Sequence, residues 1–232
     1  ISTVLGHLAS QASGEALKNV DLAKLVLALI GKQIGEKLNA CLFNAVRNSS
    51  GTTTNTLFDG FDTITAADHT ANKLTVALGN YDEGDTVITA SNAEGVLKEY
   101  YRSCSDELRD QPTKMFISRN IYDAYTDSYQ TNHGALPYNK EFDKHYLEGS
   151  QGKCELCPIV GKANSQYIHI TPKTNMLVGV DQMGDVERVN VNKYAPDTLT
   201  FEMRMFFGVE FETVDKRMFK AIKLAQTSNN PG

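Results

Sequence analysis

The chain has 232 residues, of which 41% are hydrophobic and 22% are charged, so it is long enough to bury a substantial core. Its 23 basic and 28 acidic residues give a formal charge of -5, which argues against a dedicated nucleic-acid-binding protein. The longest apolar run, at 25–30, is far shorter than the roughly 20 residues that cross a bilayer, so we expect no membrane-spanning segment and no membrane partner.

Cysteine usage indicates a reducing compartment. Of the four cysteines, Cys41 and Cys104 lie on the apolar stripes of predicted helices, where reduced thiols behave as small hydrophobic residues.

The first residue is Ile, and no signal-peptide pattern follows it. We therefore expect the chain to begin inside a longer one.

The most regular stretch of the sequence runs from residue 20 to residue 47. Its apolar residues recur every three or four positions, the spacing that places them on one face of an α-helix. Asn19 or Asp21 can cap the start. At about 1.5 Å per residue the predicted helix is roughly 40 Å long, and Gly31 and Gly35 allow a kink.

The segments on either side of this helix are polar. Residues 1–18 predict an arm or loop remnant with little core of its own. The loop 48–56 lacks the spaced glycines and the lysine of a P-loop. Beyond it, 57–64 predicts an apolar turn and 73–78 a short strand. The carboxylates within 80–85 lack the spacing of a calcium loop, so we interpret them as a solvated acidic turn.

The middle of the chain alternates helix and strand. Residues 91–110 predict a helix in which Ser91 and Glu94 form a capping box. A short buried strand is predicted at 114–118, and a further helix follows at 119–131. This order implies an α/β layer.

The last third of the chain favours strands, because apolar, β-branched and aromatic residues alternate or run together. The predicted strands are 167–172, 175–181, 186–194, 198–212 and 217–225. Gly208 predicts a bulge or bend inside the longest of them. We expect turns at 173–175, 182–185 and 195–197, and a disordered tail at 226–232.

One pattern raises the alternative of a metal-dependent enzyme. Cys154 and Cys157 form a C-x-x-C pair, but tetrahedral zinc needs two further ligands, and the sequence has no second closely spaced pair. We interpret the pair as two cysteines of a strand that runs into Pro158. Three histidines could join them in a metal site: His133, His145 and His169. The sequence shows no recognisable pairing of a catalytic nucleophile with a general base. We therefore assign no catalytic, cofactor-binding or metal-binding residue.

The order of these parts resembles the major capsid protein of tailed bacteriophages, a shell fold shared with encapsulin nanocompartments. A long helix leads to the Phe-Asp-Gly-Phe turn at 58–61, then to an α/β segment and to long terminal strands. Similar proteins carry a Gly followed by a strand, and then a segment that ends in Asn-Leu-x-x-Gly-x-Asp. Residues 152–160 and 175–181 look like these two segments.

The resemblance implies an α+β fold with a long spine helix, an antiparallel peripheral β-sheet and a mixed α/β axial domain. By this resemblance, residues 1–18 are a remnant of the N-terminal arm or an extended loop, and residues 19–84 are the first part of the peripheral domain. Residues 85–180 form the axial domain, and 181–225 supply strands that return to the peripheral domain. The tail is 226–232. Relative to the family, the arm and hairpin loop that grip neighbouring subunits are reduced to the first of these segments.

The resemblance also implies a function. The chain would be a structural capsid protein of a phage or prophage, self-assembling as hexamers and pentamers into an icosahedral shell. Assembly would take place in the bacterial cytoplasm, and the virion shell would enclose double-stranded DNA without sequence-specific contacts. No enzymatic activity and no cofactor are implied. The alternative within the same fold is an encapsulin-like compartment whose cargo is protein.

Overall fold

The computed structural model describes residues 22–134, 145–163, 165–180, 189–195, 198–203 and 206–225. The predictions for 1–18, for the helix cap at Asn19 or Asp21, and for 182–185, 196–197 and 226–232 lie outside the described residues. The chain divides into two compact units, 1–40 and 41–232.

Helix α1 spans Leu22–Cys41, so the long helix predicted from the sequence is present but ends before residue 47. Beyond Cys41 the backbone hydrogen-bonds to a later segment instead of continuing the helix. The N–H of Phe61 donates to the carbonyl of Leu42 at 3.2 Å, and the N–H of Val46 donates to that of Asn55 at 3.0 Å. The apolar pattern continues past the helix because the chain turns at 42–44 and buries Phe43 and Ala45 in the core.

The described part of the second unit contains helices α2 Phe61–Thr70, α3 Ala93–Arg102, α4 Asp106–Asp110 and α5 Arg119–His133. Short 3-10 helices occupy Thr54–Thr56, Val160–Lys162 and Lys173–Asn175. None of the helices among the described residues combines the length and the apolar composition needed to span a bilayer.

Helix α2 replaces the simple turn that we expected at 57–64. Its N-cap is Gly60, and a Cβ atom there would lie 2.5 Å from the carbonyl oxygen of Phe43. Only glycine permits this close approach of two backbones. The strand expected at 73–78 is also wrong, because these residues form turns. They are held by Asn80, whose Nδ2 donates to the carbonyl of Lys73 at 2.9 Å.

The helix predicted over 91–110 breaks into α3 and α4. The break occurs because the Ser105 side chain accepts the N–H of Leu108 at 3.2 Å and thereby caps a new helix. The predicted capping box is not formed, since Asn92 occupies the N-cap of α3. Helix α5 begins where the sequence predicts and is capped by Ser118.

The central sheet has five strands in the order β1, β9, β4, β2, β3. Their ranges are β1 Tyr81–Glu83, β2 Thr113–Ile117, β3 Cys154–Pro158, β4 Tyr167–Thr171 and β9 Lys220–Lys223. Strand β2 pairs in parallel with β3 and antiparallel with β4, and β9 pairs in parallel with β1 and antiparallel with β4. The sheet is therefore mixed, and the predicted α+β class is confirmed.

Two antiparallel ribbons accompany this sheet. The first pairs β5 Met176–Val180 with β8 Phe207–Phe211, and the second pairs β6 Val189–Ala195 with β7 Thr198–Met203. The single strand predicted over 198–212 is thus two strands with different partners. The bulge expected at Gly208 is wrong, because Gly208 pairs with Gly179 in regular register.

The main core lies between this sheet and the helices α3 and α5. Five of its side chains come from these elements and are completely buried: Leu97, Met115, Ile121, Ile168 and Ile222. Burial of each such side chain contributes about 1.5–3 kcal/mol.

Asn175 holds the first ribbon against the central sheet. This side chain is completely buried between the end of β4 and the end of β8. Its Nδ2 donates to Thr171 Oγ1 and to the carbonyl of Thr213, both at 2.9 Å. Its Oδ1 accepts the N–H of Thr213, also at 2.9 Å. One amide therefore satisfies backbone groups that have no strand partner.

We expect Asn175→Ala to lower the free energy of unfolding by about 3 kcal/mol, because it leaves buried donors and acceptors unsatisfied. The matched control is Gln111→Ala. Gln111 is also an amide that donates to this region, to the carbonyl of Arg217 at 2.7 Å, but the residue is only half-buried and this bond is exposed. Water replaces that bond, so we expect a loss within about 0.5 kcal/mol. Equal losses in urea denaturation would contradict the role of Asn175.

Candidate functional site

Strand β3 places Cys154 and Cys157 on opposite faces of the sheet, because strand residues three apart point in opposite directions. Cys154 is completely buried, and burial raises the pKa of its thiol to about 12. Cys157 lies on the other face, with its Sγ 3.7 Å from Lys114 Nζ. The interpretation of this pair as strand residues is confirmed. The two thiols cannot hold one ion.

The three histidines lie in separate environments. His133 Nε2 is 2.9 Å from Glu94 Oε1, and the ring of His145 stands edge-on to Tyr122 at 5.3 Å. His169 is completely buried in β4. Across the part of the chain that the structure describes, no group of three or more His, Cys, Asp or Glu side chains could hold a metal ion.

A buried charged cluster, which the sequence did not reveal, lies where α2 meets β4. We call it the Lys162 cluster; it consists of Asp62, Lys162, Ser165, Tyr167 and His169. The ammonium of Lys162 is completely buried and donates to Asp62 Oδ1 at 3.0 Å, to Ser165 Oγ at 3.0 Å and to the carbonyl of Tyr167 at 2.7 Å. All three of its protons therefore have acceptors.

An aromatic wall encloses the Lys162 cluster. Lys162 Nζ lies 4.6 Å from the centre of the Phe43 ring, a cation–π distance. The Phe43 ring in turn lies 5.4 Å from that of Phe61. Burial lowers the pKa of Lys162, whereas the charge and hydrogen bond of Asp62 oppose this shift. An unpaired lysine could not remain charged in such surroundings.

The buried ring of His169 has polar neighbours on both sides. Its Nε2 lies 2.8 Å from Thr65 Oγ1, which also donates to the carbonyl of Phe61 at 2.8 Å. Its Nδ1 lies 3.7 Å from Asp62 Oδ1, too far for a hydrogen bond. Burial and the charge of Lys162 lower the pKa of His169 well below 6.5.

The Lys162 cluster therefore joins three parts of the chain and has a structural role. Asp62 belongs to the first turn of α2, Lys162 to a 3-10 helix and His169 to β4. One sequence signal could have indicated it, namely a histidine between the two isoleucines of β4. Asp62 and Lys162 are 100 positions apart and carry no local pattern.

A second polar contact joins α3 to α5. Glu94 is almost completely buried, and its carboxylate accepts from Lys98, from Asn132 Nδ2 at 2.8 Å and from His133 Nε2 at 2.9 Å. Burial alone would raise the pKa of Glu94, but the hydrogen bonds from Asn132, Lys98 and His133 lower it to about 2. This carboxylate is a structural clamp, since all its partners lie on the two helices that it joins.

A candidate contact surface needs large apolar side chains that face solvent and lie together. Among the described residues, the large apolar side chains that face solvent are Leu29, Val46, Leu57, Val76, Leu78, Val87, Val160, Leu177, Val178 and Phe206. Single exposed apolar residues are ordinary. Leu177, Val178 and Phe206 differ because all three belong to, or directly adjoin, the β5–β8 ribbon.

We expect Lys162→Met to lower the free energy of unfolding by about 3–5 kcal/mol, because it leaves the Asp62 carboxylate buried without its cation. The control is Lys153→Met, which breaks the exposed ion pair with Asp110. We expect that change to cost less than about 1 kcal/mol. Chemical denaturation measures both values, and a small loss in Lys162→Met would show that the buried pair contributes little.

Acid should destabilise the fold through His169. The folded state keeps its imidazole neutral, whereas the unfolded chain binds a proton near pH 6.5. The contribution is therefore complete above pH 6.5 and is lost as the pH falls from there towards the lower folded pKa. Between pH 7.5 and 5.5 we expect the wild type to lose about 1.4 kcal/mol more than His169→Gln. Identical pH profiles in urea denaturation would exclude this contribution.

A solved structure has a similar fold. A chain of the cyanophage A-1(L) capsid asymmetric unit matches with a TM-score of 0.54 at 15% sequence identity, over 89% of this chain and 69% of that chain. No protein-family model and no curated protein sequence matches. At this identity the likeness shows the fold alone. It confirms, at the level of the fold, the resemblance to phage capsid proteins that the sequence indicated.

Proposed function

We propose that this chain is a structural capsid protein of a tailed phage or prophage and is not an enzyme. The observation that carries the proposal is the shared fold with a chain of the cyanophage A-1(L) capsid asymmetric unit, which extends over 89% of this chain. The order of helix, α/β segment and terminal strands in the sequence supports it independently of that comparison.

The proposed assembly is an icosahedral virion shell of hexamers and pentamers, formed in the bacterial cytoplasm. A closed symmetric shell repeats each contact many times, so contacts that are individually weak suffice. The proposed cargo is double-stranded DNA. A subunit with a formal charge of -5 is suited to enclosing DNA without binding it tightly, because its 28 acidic residues outnumber its 23 basic ones and repel phosphates.

We further propose that α1 is the spine helix of a peripheral domain and that α3, β2 and α5 belong to an axial domain. The boundaries at residues 84 and 181 are approximate. Strands β1 and β9 lie outside the interval 85–180, yet they pair within the same sheet as β2 and β4.

Sedimentation velocity of the purified 232-residue chain over a range of concentrations tests the proposal. We expect particles far larger than the 25.6 kDa subunit. The fraction of the chain that sediments as particles should rise steeply with concentration. A single species of subunit mass under every condition would contradict it.

The cargo of particles purified from the producing cell separates the two shell functions. DNA that resists added nuclease supports a virion shell. Particles that enclose only protein would favour the encapsulin-like alternative. Free DNA digested under the same conditions is the control.

A further inference from the structure

Strand β8 has an inner and an outer face, whereas Val178 of β5 is 56% exposed although it pairs with the buried Val209. On the inner face, Phe207 packs edge-on against Phe58 and Phe211 packs against Phe61, each with ring centres 4.9 Å apart. Val209, between them, is buried. Because side chains alternate along a strand, the residues between these three point away from the core.

The outer face of the ribbon consists of Leu177, Gly179, Gly208 and Glu210, and Phe206 adjoins it at the start of β8. Leu177 pairs with Glu210, and Gly179 pairs with Gly208. Phe206 directly precedes β8 and is 72% exposed, while Leu177 is 45% exposed. Two large apolar side chains exposed on one ribbon form a patch, and patches rather than single residues mark contact surfaces.

Between the two exposed apolar side chains, Leu177 and Phe206, the ribbon presents only backbone atoms. We call this surface the Gly179–Gly208 floor. Gly179 and Gly208 are directly opposite each other, so neither strand contributes a side chain there. A Cβ atom added at Gly208 would meet nothing within 4 Å, and one added at Gly179 would meet only the Gly208 carbonyl oxygen at 3.8 Å. Internal packing therefore does not require these glycines. Glycine inside a strand costs stability and often marks a place where another group approaches the backbone closely.

We propose that the outer face of the ribbon is a contact between two copies of this chain, in which Phe206 of each copy sits on the Gly179–Gly208 floor of the other. The inference rests on the proposed self-assembly and names one surface that performs it. The same face offers a protruding ring and a flat floor about 7 Å away, one strand repeat of two residues. A two-fold axis then matches each ring with a floor, which is the self-complementarity that an isologous interface needs.

The occupant is a second copy because both complementary features belong to one face. Aromatic side chains are the usual anchors of protein interfaces, and stacking on bare backbone removes most of the exposed area of the ring from water. Glu210 lies beside the floor, opposite Leu177, and is exposed. It supplies a polar rim to the contact.

Two substitutions test the contact from opposite sides. Phe206→Ala removes the ring, and Gly208→Leu covers the floor with a side chain that has open space in the isolated subunit. The controls match each change. Val160→Ala shortens a side chain that is also 72% exposed, and Gly95→Leu fills another glycine position that has no neighbour within 4 Å.

Sedimentation velocity at a series of concentrations is the measurement, with unfolding midpoints to show that every variant is folded. We expect Phe206→Ala and Gly208→Leu to raise the concentration needed for association at least about tenfold. Both controls should associate like the wild type.

The outcomes separate the two proposals. If the wild type assembles and either test variant assembles at the same concentration, the ribbon contact is wrong and the shell function stands. If the controls are impaired as strongly as the test variants, the contact is also wrong. A wild type that remains a single subunit at every concentration overturns both the contact and the shell function.

Discussion

The buried pair of Lys162 and Asp62 is the interaction on which the rest of the second unit depends. Removing both charges from water is costly, and the cost is offset only because every proton of the ammonium has an acceptor in a fixed place. This requirement sets the position of the first turn of α2 relative to β4. Phe61, next to Asp62, then contacts Phe211, so the same pair determines where the β5–β8 ribbon lies.

Local pattern was enough to predict elements whose burial follows their own periodicity. Helix α5 and strands β2 and β4 are such elements, and each lies close to its predicted range. The pattern failed where a distant segment decides the conformation. The apolar spacing of α1 continues past Cys41 because the following residues pair with the segment before α2. Glycines gave the least reliable signal, since Gly60 starts a helix and Gly208 lies in a regular strand.

The candidate functional surfaces could be predicted only in part, for the same physical reason. The C-x-x-C pair was correctly interpreted as strand residues because alternation along a strand is a local property. The Lys162 cluster combines residues separated by about a hundred positions, and only the folded chain shows that they meet. The outer face of the ribbon likewise depends on the pairing of β5 with β8, which brings two glycines together. The proposed shell function would work through such surfaces, which carry no sequence motif of the kind that marks catalysis.

Cryo-electron microscopy of the assembled chain is the sharpest test of the proposed shell function. We expect a closed, symmetric shell built from repeated copies of this fold, with ordered contacts between neighbouring subunits. Particles without symmetry, or a chain that yields only single subunits in the same preparation, would contradict it.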